Sequence, residues 1–180
     1  VRENFQAPTR KLNNGDLVIN GINIRGSVSE DDKRSVEIAS SSKKSSSAIA
    51  IAAAINSHSD ETGVTAEIRG AKINGTSTNT GFPGVFPATG DYDLYINGTK
   101  VEVRLTQDEP ADTRRDNVIA AINLATHTHG IIASNNNQGV TLESTDGRNM
   151  SVWFDGSVHG LSASSFGLGQ GGTVAQNSTI

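Results

Sequence analysis

The stretch Gly15-Asp16-Leu17-Val18-Ile19-Asn20-Gly21-Ile22-Asn23-Ile24 reads as an apolar strand, a two-residue turn and a second apolar strand. A tight type I′ hairpin needs positive φ at both central positions, and Asn-Gly meets that need at least steric cost. Alternation along the strands turns Leu17, Ile19, Ile22 and Ile24 to one side. The pattern recurs at Asp93-Leu94-Tyr95-Ile96-Asn97-Gly98-Thr99-Lys100-Val101, with Leu94, Ile96, Val101 and Val103 as the inward set. Recurrence at this distance points to a repeat, and the rest of the chain aligns around it.

Each hairpin is followed by a helical signal. The segment Ala48 to Asn56 follows three serines, Ser45 to Ser47, which offer N-caps. A second segment runs through Val118 to Ala125, with Asp112 or Thr113 as its expected cap. Ile51 and Ile55 are four apart, as are Val118 and Ile122, so each helix carries an apolar stripe. Both contain the same tetrapeptide, Ala53-Ala54-Ile55-Asn56 and Ala120-Ala121-Ile122-Asn123. Beyond the helices, Gly63-Val64-Thr65-Ala66 answers Gly130-Ile131-Ile132-Ala133.

The spacing locates an insertion. Asn56 and Asn123 stand 67 positions apart, as do Gly63 and Gly130, whereas Ile19 and Ile96 stand 77 apart. The surplus falls in the Ser-rich, charged stretch Gly26 to Lys44, which is expected to form a loop or a longer hairpin. After the second copy, Gly139 to Ser144, a turn at Asp146-Gly147 and Met150 to Phe154 read as a hairpin-like segment. The predicted class is α+β: two repeated units, each a β-hairpin, one α-helix and further antiparallel strands. The expected divisions are 1–70 for the first unit, 71–90 for a linker or surface loop, 91–165 for the second unit and 166–180 for a flexible tail. A third, decayed hairpin turn at Ile73-Asn74-Gly75 is the alternative reading of the linker.

Composition narrows the functional classes. With 34% hydrophobic and only 4% aromatic residues in 180, the core must be built from Ile, Val, Leu and Ala. A net charge of −4 gives no electrostatic footprint for nucleic acid or an anionic membrane, so neither is expected as a partner. No apolar run approaches the roughly 18 to 20 residues that cross a bilayer. Cysteine is absent, which excludes a disulfide framework. The opening Val1-Arg2-Glu3-Asn4 has neither an initiator Met nor a signal-peptide pattern, so the chain is expected to be a piece of something longer.

The search for chemistry comes back nearly empty. There is no Walker loop, no Gly-x-Ser-x-Gly and no zinc spacing, so no catalytic residue, metal ligand or cofactor is assigned and no enzymatic activity is expected. His127 and His129 read as solvated turn histidines, with His58 in a similar place in the first copy. Asp91 with Asp93, or Asp108 with Glu109, could touch calcium but lack an Asp-x-Asn-x-Asp-Gly loop. One of Trp153 and Phe154 is expected to anchor the core, a carbohydrate-stacking platform being the alternative.

The order Ile-Asn-Gly, spacer, Ala-Ala-Ile-Asn, Gly-Val-Thr-Ala resembles the flagellin hook IN motif of flagellins and hook-associated proteins. The residues that carry it are Ile19, Asn20, Gly21, Ala53, Ala54, Ile55, Asn56 and Gly63. In the second copy they are Ile96, Asn97, Gly98, Ala120, Ala121, Ile122, Asn123 and Gly130. The closing Phe166-Gly167-Leu168-Gly169 is similar to the segment that ends such outer regions. The resemblance implies a structural component of the bacterial flagellum, extracellular, forming solvent-exposed outer domains of flagellin. It implies other flagellin subunits as partners, through long terminal helices that this chain does not contain, and it brings glycan modification and host-surface contact into view. No heptad run of three or four turns is present. The other readings are an outer domain of a hook-filament junction or filament cap protein, and a surface carbohydrate-binding or adhesin module.

Overall fold

The computed structural model describes residues 10–38, 42–79 and 87–169. The described residues divide into two compact units, one of residues 10–71 together with Ser144–Ser151, the other of Lys72–Glu143 together with residues 152–169. The structure is α+β, with short antiparallel sheets and few helices.

In the first unit the hairpin is minimal. Strand β1 (Val18–Ile19) pairs antiparallel with β2 (Ile22–Asn23), Ile19 standing opposite Ile22. Asn20 and Gly21 take φ of 51° and 84°, the positive values that a type I′ turn requires. Helix α1 (Ala48–Asn56) starts where Ser47 stops the chain in extended geometry and accepts from the amide of Ala50 at 3.1 Å. Its alanines let it lie close to the hairpin. Ile24, Ala54 and Ile55 form the buried cluster, with Leu12, Leu17, Ile19, Ile51 and Ala66 packed against it. A single turn, α2 (Ser59–Thr62), follows and ends on Gly63 at φ 68°.

The insertion between hairpin and helix is more than a loop. It holds the 3-10 turn Ser29–Asp31 and buries Ser27, Asp32, Ser35 and Ser42. Asp32 Oδ1 accepts from the amides of Arg34 and Ser35, both at 2.9 Å, so a carboxylate organises the turn that hydrophobic residues are too few to fill. The segment Ser144–Ser151 returns to this unit: the Ser144 amide donates to Ala71 O at 2.9 Å, and that of Asn149 to Ser35 Oγ at 2.8 Å.

The second unit is larger. Its strands and helices are β3 (Lys72–Asn74), β4 (Gly90–Ile96), β5 (Thr99–Leu105), α3 (Ala111–Leu124), α4 (Thr126–His129), β6 (Ile132–Asn135), β7 (Val140–Glu143) and β8 (Val152–Phe154). They build two three-stranded sheets, β5-β4-β8 and β3-β7-β6. The expected inward set, Leu94, Ile96, Val101 and Val103, is buried, and α3 lies against β5 and β6 through Val118 and Ile122. Full burial of side chains of this size contributes about 1.5–3 kcal/mol each.

Three local readings change. Residues 139–154 do not form one hairpin: β7 joins β6 and β3, whereas β8 pairs with β4, Trp153 standing opposite Tyr95. Helix α3 is not capped by Asp112 or Thr113. It starts at Ala111 behind Pro110, whose φ of −56° is already near the helical value. The helix start is tied down by Arg114, fully buried, which pairs with Glu109 at 2.9 Å and donates to Thr106 O. Third, Phe166 and Leu168, at the head of the expected tail, are buried. Gly167 ends the 3-10 turn Ala163–Phe166 at φ 70°, and its carbonyl accepts from the Val140 amide at 2.7 Å. Residues 170–180, the remainder of that stretch, lie outside the described residues. So do residues 80–86 of the expected linker, whose residues 72–74 form β3.

Candidate functional site

The motif residues of each copy assemble into two clamps made by asparagine side chains. In the first unit, Asn56 at the end of α1 faces the extended chain after Gly63. Its Nδ2 donates to Ala66 O at 3.0 Å and its Oδ1 accepts from the Ala66 amide at 2.7 Å. One side chain thus satisfies both backbone groups of one residue, as a neighbouring strand would. In the second unit Asn123 does the same to Ala133, at 3.0 Å and 2.8 Å. Aspartate lacks the donor and alanine lacks both groups, which is the physical reason for asparagine in Ala-Ala-Ile-Asn.

The turn asparagines make the second clamp. Asn20 Nδ2 donates to Thr62 O at 2.8 Å, and Asn97 Nδ2 to His129 O at 2.9 Å. Thr62 and His129 are the last residues of α2 and α4, each directly before a glycine in the left-handed region, Gly63 at φ 68° and Gly130 at φ 74°. The hairpin turn is thereby tied to the end of the helical segment. The separation is 42 residues in the first copy and 32 in the second, so the insertion leaves the clamp intact. Asn97 is 6% exposed, whereas Asn20 lies on the surface.

His129 corrects an expectation. It is 1% exposed rather than solvated. Its Nδ1 accepts from the Ile131 amide at 3.1 Å and its Nε2 lies 3.0 Å from Ile122 O, the geometry of an imidazole carrying its proton on Nε2. The equivalent residue in the first copy is Thr62, whose Oγ1 accepts from the Val64 amide at 3.2 Å. His58 does not match it: it precedes α2, at the opposite end. Threonine and histidine thus do one job, holding the amide two residues beyond. Side chains so different hide that equivalence in the sequence. Exposed His127, by contrast, lies on the surface.

The remaining motif residues supply packing and backbone freedom. Ala54, Ile96 and Ile122 are fully buried and Ile55 nearly so, while Ala53, Ala121 and Ile19 are half-buried and Ala120 is exposed. Gly98 takes φ 78° after Asn97 at 47°. Three of the four carboxylates weighed for calcium face basic groups instead: Asp91 meets Arg104 at 3.2 Å, Asp93 meets Lys100 at 2.9 Å and Glu109 meets Arg114. Burial draws the Arg114 guanidinium down from its ordinary value, and Glu109 opposes that. Among the described residues no three His, Asp or Glu side chains are grouped to hold a metal, and no helix is long and apolar enough to cross a membrane.

A family model described as the flagellin hook IN motif matches residues 16–79. That stretch contains the first hairpin, α1, α2 and both clamps of the first copy. No curated protein matches the chain.

Proposed function

We propose, from the flagellin hook IN motif that the chain carries, that its two units are solvent-facing outer domains of a flagellin-type filament protein. Flagellin is structural, and in this reading the chain decorates an extracellular filament and sets its surface chemistry; it does not catalyse. The observation that carries the reading is the motif match over residues 16–79 together with the same pair of asparagine clamps rebuilt at Asn97 and Asn123. Each clamp closes a small α+β unit upon itself. Among the described residues the longest helix is Ala111–Leu124, with 14 residues, which is short for a coiled-coil seam. Contacts to other flagellin subunits are therefore assigned to regions outside this chain.

The test is the solution state of the 180-residue chain by size-exclusion chromatography with light scattering. The reading expects a monomer of 18.8 kDa. A discrete oligomer at micromolar concentration would overturn it, because such a chain would carry an assembly interface of its own, as a cap or junction protein does.

A further inference from the structure

The chain is poor in aromatic residues, yet its one tryptophan and both its tyrosines line a single groove. The groove, about 400 Å³, runs along β4 and β8 and the chain that follows β8, wholly within the second unit. Trp153 and Tyr95 stand opposite each other on β8 and β4, ring centroids 5.0 Å apart and tilted by 51°. Trp153 is 46% exposed. The core does not need it, since Phe154 takes the adjacent place and meets Phe166 at 5.5 Å. A cross-strand aromatic pair does support a sheet, but that role does not gather three carboxylates around it; Tyr92, whose hydroxyl donates to Ala88 O at 2.6 Å, alternates to the other face of β4 and meets the groove only at its edge.

The carboxylates are Asp91, Asp93 and Asp155. Two are already charge-compensated, by Arg104 and Lys100. Asp155 accepts from the Ser157 amide at 2.9 Å, and its side chain lies exposed at the groove rim. The groove therefore offers a broad aromatic face, hydrogen-bond acceptors at the rim and little net charge. From this geometry we infer that the groove binds a neutral carbohydrate, a hexopyranose or N-acetylhexosamine unit, with its C–H face on Trp153 and its hydroxyls donating to Asp155 and Asp93. A flat apolar face ringed by donors is what such a surface complements. An anionic sugar would meet the Asp155 carboxylate, whereas a cation would find Asp91 and Asp93 already paired with Arg104 and Lys100 and only Asp155 open to it, an outcome that choline tests.

The inference is independent of which filament protein the chain belongs to. The test is a titration of the 180-residue chain with chitotriose, lactose, 3′-sialyllactose and choline, followed by Trp153 fluorescence and by amide chemical shifts. Saturable shifts confined to residues 91–95 and 153–161 are expected with a neutral sugar, with a Kd of about 1 mM or below. Sialyllactose should bind more weakly than lactose. Trp153→Ala and Asp155→Ala should each weaken binding by roughly tenfold or more, as expected when a central contact is truncated. Asp155 is exposed, so its variant should keep the parent's thermal midpoint, and that variant separates lost binding from lost folding. Absence of saturation by either neutral sugar at about 50 mM, far above the Kd expected of such a site, would overturn the proposal. So would unchanged affinity in both variants, or saturation by choline alone.

Discussion

Replacing Asn97 with alanine and with glycine separates its two roles, the side-chain clamp and the left-handed turn. Both substitutions remove the amide that donates to His129 O at 2.9 Å, at a position 6% exposed. Loss of one partner of a buried hydrogen bond costs about 1–3 kcal/mol. Glycine keeps the φ of 47° without strain, whereas alanine there adds about 1–2 kcal/mol. Glycine's extra freedom in the unfolded chain takes back about 0.4–1 kcal/mol of that difference. The expected order of stability is parent, then Asn97→Gly, then Asn97→Ala, with the last two separated by about 0.5–1 kcal/mol. Urea unfolding followed by Trp153 fluorescence measures this directly, because the chain's one tryptophan lies in the same unit as Asn97. The midpoint should fall with the m-value unchanged. Glycine proving worse than alanine would refute the left-handed argument, and both variants matching the parent would refute the clamp.

Three further outcomes follow from the same geometry. Asn56→Ala and Asn123→Ala each remove two hydrogen bonds to one residue and should cost about 1–2 kcal/mol, read as faster amide exchange at Ala66 and Ala133. Gly139→Ala should unfold the β3-β7-β6 sheet, seen as lost amide dispersion, because a Cβ there would overlap the carbonyl oxygens of Gly75 and Gly167. Acid should loosen the first unit: Asp31, Asp32 and Asp146 all lie in it, and all are held below the ordinary aspartate value.

The causes differ among the three carboxylates. The hydrogen bond from Arg25 dominates at Asp31. Burial favours the neutral form of Asp32 and is outweighed by hydrogen bonds from Ser35, Ser47 and Arg34, the Ser47 hydroxyl approaching loosely, since Oδ2 has no partner within hydrogen-bond distance. Burial likewise raises Asp146, and Arg148 outweighs it. A lowered folded-state pKa means that the unfolded chain takes up protons first. The stabilisation is therefore complete above about pH 4 and is lost as pH falls through the folded values. Amide exchange at pH 6 and pH 2.5 should show the loss over residues 10–38 and 42–71, and Asp32→Asn should flatten it.

What the sequence made legible is what local chemistry decides. Asn-Gly at 20–21 and 97–98 forces positive φ, so both hairpins and their inward residues could be placed. Ser47 capped α1 as expected, and the alanine-rich stripe put that helix on its hairpin. Long-range partnership was not legible. Nothing in Val140 to Glu143 says that it will pair with Lys72–Asn74, and nothing in Val152 to Phe154 says that it will extend the β4 sheet. Arg114 looks like any helix arginine until Glu109 and Thr106 are seen around it. His129 looked solvated because a turn histidine usually is, and only its equivalence to Thr62 explains its burial. The clamps were visible as conserved spacing between copies, but their hydrogen bonds needed coordinates.

Whether these units form the outer surface of a flagellin-type filament can be seen by immunogold electron microscopy. Antibodies raised against the 180-residue chain would be applied to intact cells of the bacterium that makes it. Gold is expected along the whole length of the flagellar filament, without permeabilisation. Gold confined to the hook-filament junction or to the filament tip, or found only off the flagellum, would contradict it.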